Sequence, residues 1–515
     1  MKYELFVVTI FLIMTELLTI LVLFTYFLFL YLISRLTKGN EDNDTFFLGK
    51  RKSPWFIVAY GMIGVSLSGI TFLSVPGWVK EQEFFYMQMV LGYIPGYLFI
   101  SYVLLPIYYR MKVYSIYEYL KERFGYYSHK SGSAYFFLSR ILGASLRLFL
   151  VAEVLQLIFF QKLGIPFFVT TLFTIFLIWL YTHRGGIKTI IWTDTLQTTF
   201  MLLTVLICIY TIFSDLGYTS IKHSIESNHL SLNVFMFDNF NNSRNFFRYF
   251  FAGMFIAIAM TGLDQDMMQK NLSCKDLRGA QKNMIWLSII LVFVNLVFLY
   301  LGAMLYQYAF INNINASGDQ LFVEIIRVGE LGLFVFILFL LGLMSAAYSS
   351  ADSALTSLTT SFCIDFLNMK KVNKNAELFF IDSKSNSKKL IIRTSISRKR
   401  VHIFISFLLF LVILLVKYLN DDSIISTLFT LAGYTYGPLL GLFAFGLFTK
   451  RKINDSYVPY IVIISPLLTY ILSIYDIYLI GFDFSYELLI INGIITFLGL
   501  YFISIKNKLS SSFLI

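Results

Sequence analysis

Residues 345–361 read SAAYSSADSALTSLTTS, and they directly follow the apolar run LGLFVFILFLLGL at residues 331–343. At ~3.6 residues per turn, Ser345, Ser349, Asp352, Ser353, Thr356 and Thr360 share one helical stripe of about 100°. A helix that enters as lipid-compatible and then turns oxygen-rich has a polar task inside a membrane. Neutral and anionic oxygens on a rigid surface suit a hard alkali cation stripped of its water.

The rest of the chain fits that setting. Its 515 residues are 57% hydrophobic and 14% charged, with mean hydropathy +0.72, against about 25% charged in soluble domains. Apolar runs near 20 residues recur, each long enough for a ~30 Å hydrocarbon core. The pattern predicts an all-α polytopic membrane protein. About 13 spans fall at roughly 17–33, 55–75, 85–108, 134–160, 166–181, 189–213, 247–267, 284–309, 331–362, 401–416, 424–448, 457–474 and 488–505.

The net charge of +11 does not point to nucleic acid, because the basic residues sit in short loops and no helix face is basic. Alternate connections carry most of the Lys and Arg, from Lys50–Lys52 through the basic loop 370–400 to Lys506 and Lys508. That bias sets those loops as cytoplasmic, with the N-terminus outside and the C-terminus inside. A bacterial inner (plasma) membrane is the expected location. The opening MKYELFVVTIFLI, residues 1–13, is read as an artefact of start assignment, with a signal-like extension or an extra half-span as alternatives.

Three cysteines (Cys208, Cys274, Cys363) and five histidines show no metal or disulfide-framework spacing, and no nucleophile–base set suggests an enzyme. No cofactor beyond a coupling ion is implied. The expected partners are a small organic solute and the lipid bilayer, with no obligate protein partner evident.

Several residues carry candidate chemistry. In PWFIVAYGMIGVSLSGITFLSVPGW, Ser66, Ser68, Gly69 and Thr71 interrupt an apolar helix, and Gly64 adds freedom. Unwinding there would free carbonyls and hydroxyls for a cavity, while tight helix packing through small residues explains them equally. Asp194 lies in IIWTDTLQTTF; it either lines a polar interior with the stripe or pairs at the membrane edge with Arg184 or Lys188. Arg140 and Arg147 share a helix face. Arg140 is placed to snorkel, and Arg147 either forms a structural salt bridge or binds a substrate carboxylate. Asp264, Asp266 and Lys270 form an inner gate or loop network by their spacing. Gly433, Gly437 and Pro438 predict a kink beside Tyr434, Thr435 and Tyr436.

These residues resemble the sodium/solute symporter family. Ala346 followed by Ser349 and Ser350 is similar to that family's sodium-site helix. PWFIVAYGMIGVSLSGITF is similar to its first core helix, GGIKTIIWTDTLQ to the entry of its fifth, and SIYEYLKERFG to the loop after its second. The four motifs occur in the family's order between Phe47 and Lys452.

The resemblance implies a core of the LeuT type, with 5+5 inverted repeats. It divides the chain into an N-terminal span and lead-in (1–46), a first repeat (47–213), an extracytoplasmic loop (214–246), a second repeat (247–448, with cytoplasmic linker 366–400) and two C-terminal spans (449–515). The implied activity is sodium-driven symport of a small organic solute by alternating access. A sensor signalling through a separate partner and a proton-coupled symporter are the alternatives.

By motif, the main sodium site would use Gly64, Leu67 and Ala346 carbonyls with Ser349 and Ser350 hydroxyls. A second ion site would use Asp194, Ser349, Asp352 and Ser353. Asp352 departs from the hydroxyl expected there, and it either strengthens sodium binding or shares a proton with Asp194. Substrate candidates are Ser68, Thr71, Gln88, Arg147 and Thr435.

Overall fold

The computed structural model describes residue 18 and residues 21–37, 43–328, 331–369, 398–419, 424–480 and 484–505. Most of the linker 366–400, residues 1–13 and the terminal Lys506 and Lys508 lie outside the described residues. In chain order the main helices are α1 (Leu21–Leu36), α2 (Trp55–Ser66), α3 (Gly69–Gln82), α4 (Tyr86–Met111), α5 (Tyr126–Leu155) and α6 (Phe167–Gly185). There follow α7 (Ile187–Asp215), α8 (Phe246–Gly262), α9 (Gln265–Leu272), α10 (Leu277–Ile311) and α11 (Gly332–Phe366). The chain ends with α12 (Arg398–Leu419), α13 (Ile424–Phe448), α14 (Val458–Ile480) and α15 (Leu488–Phe502).

Among the described residues, 7 helices are long and apolar enough to cross a membrane, or up to 9 if each of two bent pairs is one span. Three shorter apolar helices add Leu21–Leu36, Phe167–His183 and Leu488–Phe502. The helical, polytopic expectation holds at that level. A two-residue antiparallel ladder, Lys452–Ile453 with Ser504–Ile505, is a small exception to the all-helical pattern.

The first bent pair is α2 and α3, which turn by 56°. Leu67 N–H makes a helical bond to Ile63 O at 2.8 Å, and Ser68 is then extended at φ −67, ψ 176. The ladder restarts with Phe72 N–H on Ser68 O at 3.0 Å. Carbonyls at the end of α2 and amides at the start of α3 therefore leave the helical pattern. This is the unwinding expected from the serine- and glycine-rich sequence.

The second bent pair, α8 and α9, turns by 64°. The expected single span over 247–267 is thus two pieces. Asp264 explains the break, because its side chain accepts from the Asp266 N–H at 2.8 Å and starts a new helix. A residue in extended backbone cannot continue α8 and cap α9 at once.

Glycines set one close crossing of α4 and α8. A Cβ on Gly92 would overlap the Phe250 carbonyl, and one on Gly253 would overlap the Met89 carbonyl. At Pro438 the expected kink does not divide the element, since α13 runs as one helix from Ile424 to Phe448.

The connection before α5 ties the α8/α9 break to its neighbours. Tyr117 Oη donates to Leu263 O at 2.8 Å, and Ile116 N–H donates to Gln265 Oε1 at 2.9 Å. Arg123 Nε donates to Gly446 O at 3.1 Å, at the end of α13. Ser115 Oγ and Ser361 Oγ both donate to Asp365 Oδ2, at 2.8 and 2.7 Å, and His129 Nε2 lies 2.9 Å from Oδ1.

Candidate functional site

The break in α2/α3 faces the oxygen-rich half of α11, and α7 packs against both. Gly64 marks the seam. Its N–H donates to Thr198 Oγ1 at 3.1 Å, and a Cβ there would collide with that hydroxyl and lie 3.4 Å from Ser349 Oγ. Across the break, a Cβ on Gly69 would lie 3.7 Å from Ala347 Cα. Gly64, Leu67, Ala346, Ser349 and Ser350 are all buried here.

The stripe on α11 does not stay intact. Ser349 Oγ donates to Asp194 Oδ1 at 2.7 Å, and Lys270 Nζ sits 2.5 Å from Asp194 Oδ2. Both charged side chains are at most 1% exposed. Asp194 does reach the stripe, and its cation is Lys270 rather than Lys188; the Arg184 side chain lies outside the described residues. Asp352 Oδ2 accepts from Tyr181 Oη at 3.0 Å. Asp352 Oδ1, Ser353 Oγ and Thr356 Oγ1 are buried without a hydrogen-bond partner among the described residues. Ser345 Oγ donates to Tyr26 Oη at 3.3 Å, and Thr360 Oγ1 accepts from Gln269 at 3.0 Å.

A cavity of about 110 Å³ opens beside the seam. Its walls include Leu67, Ser68 and Thr71 from the break, Tyr93 and Tyr97 from α4, and Arg147 from α5. Arg147 Nη1 donates to Ser350 Oγ at 3.0 Å, while its Nε has no partner among the described residues. No carboxylate lies within 4.0 Å of Arg147 among the described residues, so it forms no salt bridge there. One buried guanidinium therefore touches both the cavity and the hydroxyl seam.

Arg140 does not snorkel. It is buried, it lies 3.7 Å from Asp264, and its guanidinium also contacts Asp266. Tyr436 Oη donates to Asp264 as well. The expected Asp264–Asp266–Lys270 network thus divides: the two acids take Arg140, and Lys270 turns to Asp194. The two acids needed a second base, and Arg140 on a neighbouring face was the only hint in the sequence.

Gln88 does not line the cavity. Its amide donates to Arg244 O at 2.9 Å and accepts from Met236 N–H at 3.0 Å, stapling the 214–246 connection to α4. Both N–H donors of the amide are taken, the second by Phe85 O at 3.3 Å, so the side chain has no donor left for a solute. Thr435 lines a small annex with Arg140 and Arg147, and its hydroxyl donates to Leu431 O at 2.7 Å. Thr198 and Tyr181, which join this hydroxyl seam, carried no sequence signal, because a threonine or tyrosine in an apolar span reads as packing.

Comparison with known proteins agrees with this architecture. The model of the sodium:solute symporter family matches residues 46–456. The sodium/sialic acid symporter NanT of Aliivibrio fischeri is 25% identical over 434 residues, covering 81% of this chain and 80% of that protein. The sodium/iodide cotransporter of Homo sapiens is 23% identical over 244 residues, covering 47% of this chain and 37% of that protein. Among solved structures, a substrate-bound, outward-open sodium-coupled sialic acid symporter superimposes with a TM-score of 0.76 at 20% identity. That match covers 94% of this chain and 97% of the other.

Proposed function

The chain belongs to the sodium:solute symporter family, and on that premise we propose that it couples inward sodium flow to uptake of a small organic carboxylate by alternating access. It is a transporter and not an enzyme. The observation that carries this reading is the placement of Arg147, lining the cavity and donating to Ser350 Oγ at 3.0 Å.

The main sodium site is assigned to the carbonyls of Gly64, Leu67 and Ala346 with the hydroxyls of Ser349 and Ser350. The free carbonyls of the break and the proximity of Gly64 to Ser349 support it. Ser349 spends its proton on Asp194, which leaves its oxygen lone pairs available to a cation. The carboxylate of the solute is assigned to Arg147, with Ser68 and Thr71 on the opposite wall. Gln88 drops out of this set. Sialic acid and iodide, named for two relatives, are both anions, in keeping with a cationic pocket.

Coupling follows from the same contact. Empty, Arg147 holds Ser350 and places a positive charge beside the sodium site. A bound carboxylate neutralises that charge and draws the guanidinium away, so solute and sodium each improve the other's binding. One sodium ion entering across ~100 mV then contributes about 2.3 kcal/mol to uphill transport.

The 13-span count with 5+5 repeats at 47–213 and 247–448 belongs to this proposal. It is supported by the apolar helices, the three shorter ones, the two bent pairs and the 30-residue α5 that carries both arginines. Two bent pairs, one near the start of each proposed repeat, support it, since discontinuous helices typically line the sites of such folds. An outside N-terminus and a cytoplasmic C-terminus rest on the loop charges, and the bacterial relative favours a plasma membrane.

Uptake into proteoliposomes under an imposed sodium gradient tests the reading, run across carboxylates, sugars and vitamins. Sodium-driven uptake confined to carboxylates is expected. Uptake indifferent to sodium, or of neutral sugars alone, would remove it. The orphaned Asp352 Oδ1 favours a second reading, in which this carboxylate holds a further sodium ion or a proton. Asp352→Ser should then change the sodium Hill slope or the pH profile of uptake. If neither moves, Asp352 is structural.

A further inference from the structure

Asp194 and Ser349 form the anionic half of a cation seat. Asp194 is fully buried, and Ser349 fixes one of its oxygens at 2.7 Å. The other oxygen is 2.5 Å from Lys270 Nζ, so a compact unit charge already stands where a bound ion would. Lys270 comes from α9, the short helix created by the second break. Had α8 continued straight, this side chain would have had a different direction, so the bend of 64° is part of the seat.

We propose that the ammonium group of Lys270 is a built-in cation that fills the Asp194–Ser349 seat and excludes sodium from it. The inference rests on the sodium-coupled reading above and revises its second ion site, leaving Asp352 and Ser353 to act without Asp194. Two unit cations about 4 Å apart repel strongly enough, at the effective dielectric of protein, to weaken ion binding roughly a thousandfold. An ion therefore enters this seat only when the ammonium is gone. The device costs the transporter nothing in charge balance, because a buried carboxylate needs a positive partner of some kind. It does fix how many ions that partner can add to the transport cycle.

The test counts sodium ions bound per purified chain at saturation, by equilibrium dialysis with radiolabelled sodium and no solute. Lys270→Met removes the ammonium and keeps the length of the side chain. It should bind one sodium ion more than the unmodified chain. The double variant Lys270→Met/Asp194→Asn should return to the unmodified count, because the seat has lost its charge. A folded Lys270→Met protein with an unchanged count overturns the proposal. So does a double variant that binds one ion fewer than the unmodified chain, since Asp194 would then have been a sodium ligand all along. If Lys270→Met alone does not fold, the double variant decides, because it leaves no charge in the Asp194–Ser349 seat. No sodium bound by the unmodified chain would overturn the coupling reading itself, which separates that failure from failure of this inference.

Discussion

Replacing Arg147 with Gln should tighten sodium binding in the absence of solute, an outcome opposite to the usual effect of damaging a binding site. Arg147 Nη1 lies 3.0 Å from Ser350 Oγ, one of the oxygens assigned to the main sodium site. An ion on the far side of that oxygen stands roughly 5 Å from the guanidinium. At an effective dielectric near 20, two unit charges at that distance repel by about 3 kcal/mol. Water in the adjoining cavity screens part of this, leaving roughly 1–3 kcal/mol, or about 5- to 150-fold in Kd at 1.4 kcal/mol per tenfold. Gln keeps a donor for Ser350 and removes the charge. Isothermal titration of sodium into purified, solute-free protein measures the change directly. The unmodified chain should also bind sodium more tightly when a carboxylate solute is present, and Arg147→Gln should lose that linkage together with solute binding. A folded Arg147→Gln protein whose sodium affinity is unchanged or weaker would refute the competition between guanidinium and ion.

Three further perturbations separate structural from functional roles. Gly64→Ala places a methyl group against Thr198 Oγ1 at the seam; overpacking of ~1–3 kcal/mol should raise the sodium needed for half-maximal uptake roughly tenfold, and Thr198→Ala should restore part of the loss. Arg140→Ala leaves Asp264 and Asp266 buried without their cation. A loss of about 3–5 kcal/mol should appear as a large fall in the thermal unfolding midpoint in detergent, and an unchanged midpoint would mean water already serves those acids. Gln88→Ala should leave the KM for solute unaltered while the 214–246 connection becomes protease-sensitive, because the half-buried Met236 N–H loses its acceptor at about 1 kcal/mol. A raised KM with an intact connection would return Gln88 to the substrate site.

Much of this was legible along the chain. The mean hydropathy and the run lengths set the membrane class, since a ~30 Å apolar slab admits only certain segments. The serine–glycine interruption after Gly64 located the first break, because Ser68 and Gly69 weaken a helix wherever it sits. The second break was harder to read. Asp264 can cap a helix or pair with a base, and only its observed φ, ψ and the two N–H groups it accepts show that it caps α9.

The sequence by itself determined which residues are too costly to leave unpartnered in lipid: Asp194, Asp352, Arg140, Arg147, Lys270 and the hydroxyls of α11. Burial cost is a property of each side chain and its apolar neighbours, and both are written in the chain. Partner choice is not. Lys270 joins Asp194 across 76 positions while its near neighbours Asp264 and Asp266 take Arg140. Several acids and bases of equal charge were available, and Coulomb attraction distinguishes them only by distance. The two helix breaks and the packing of α7 against α11 set those distances, so the tertiary structure alone decided which cation stands at Asp194 and which guanidinium reaches Ser350.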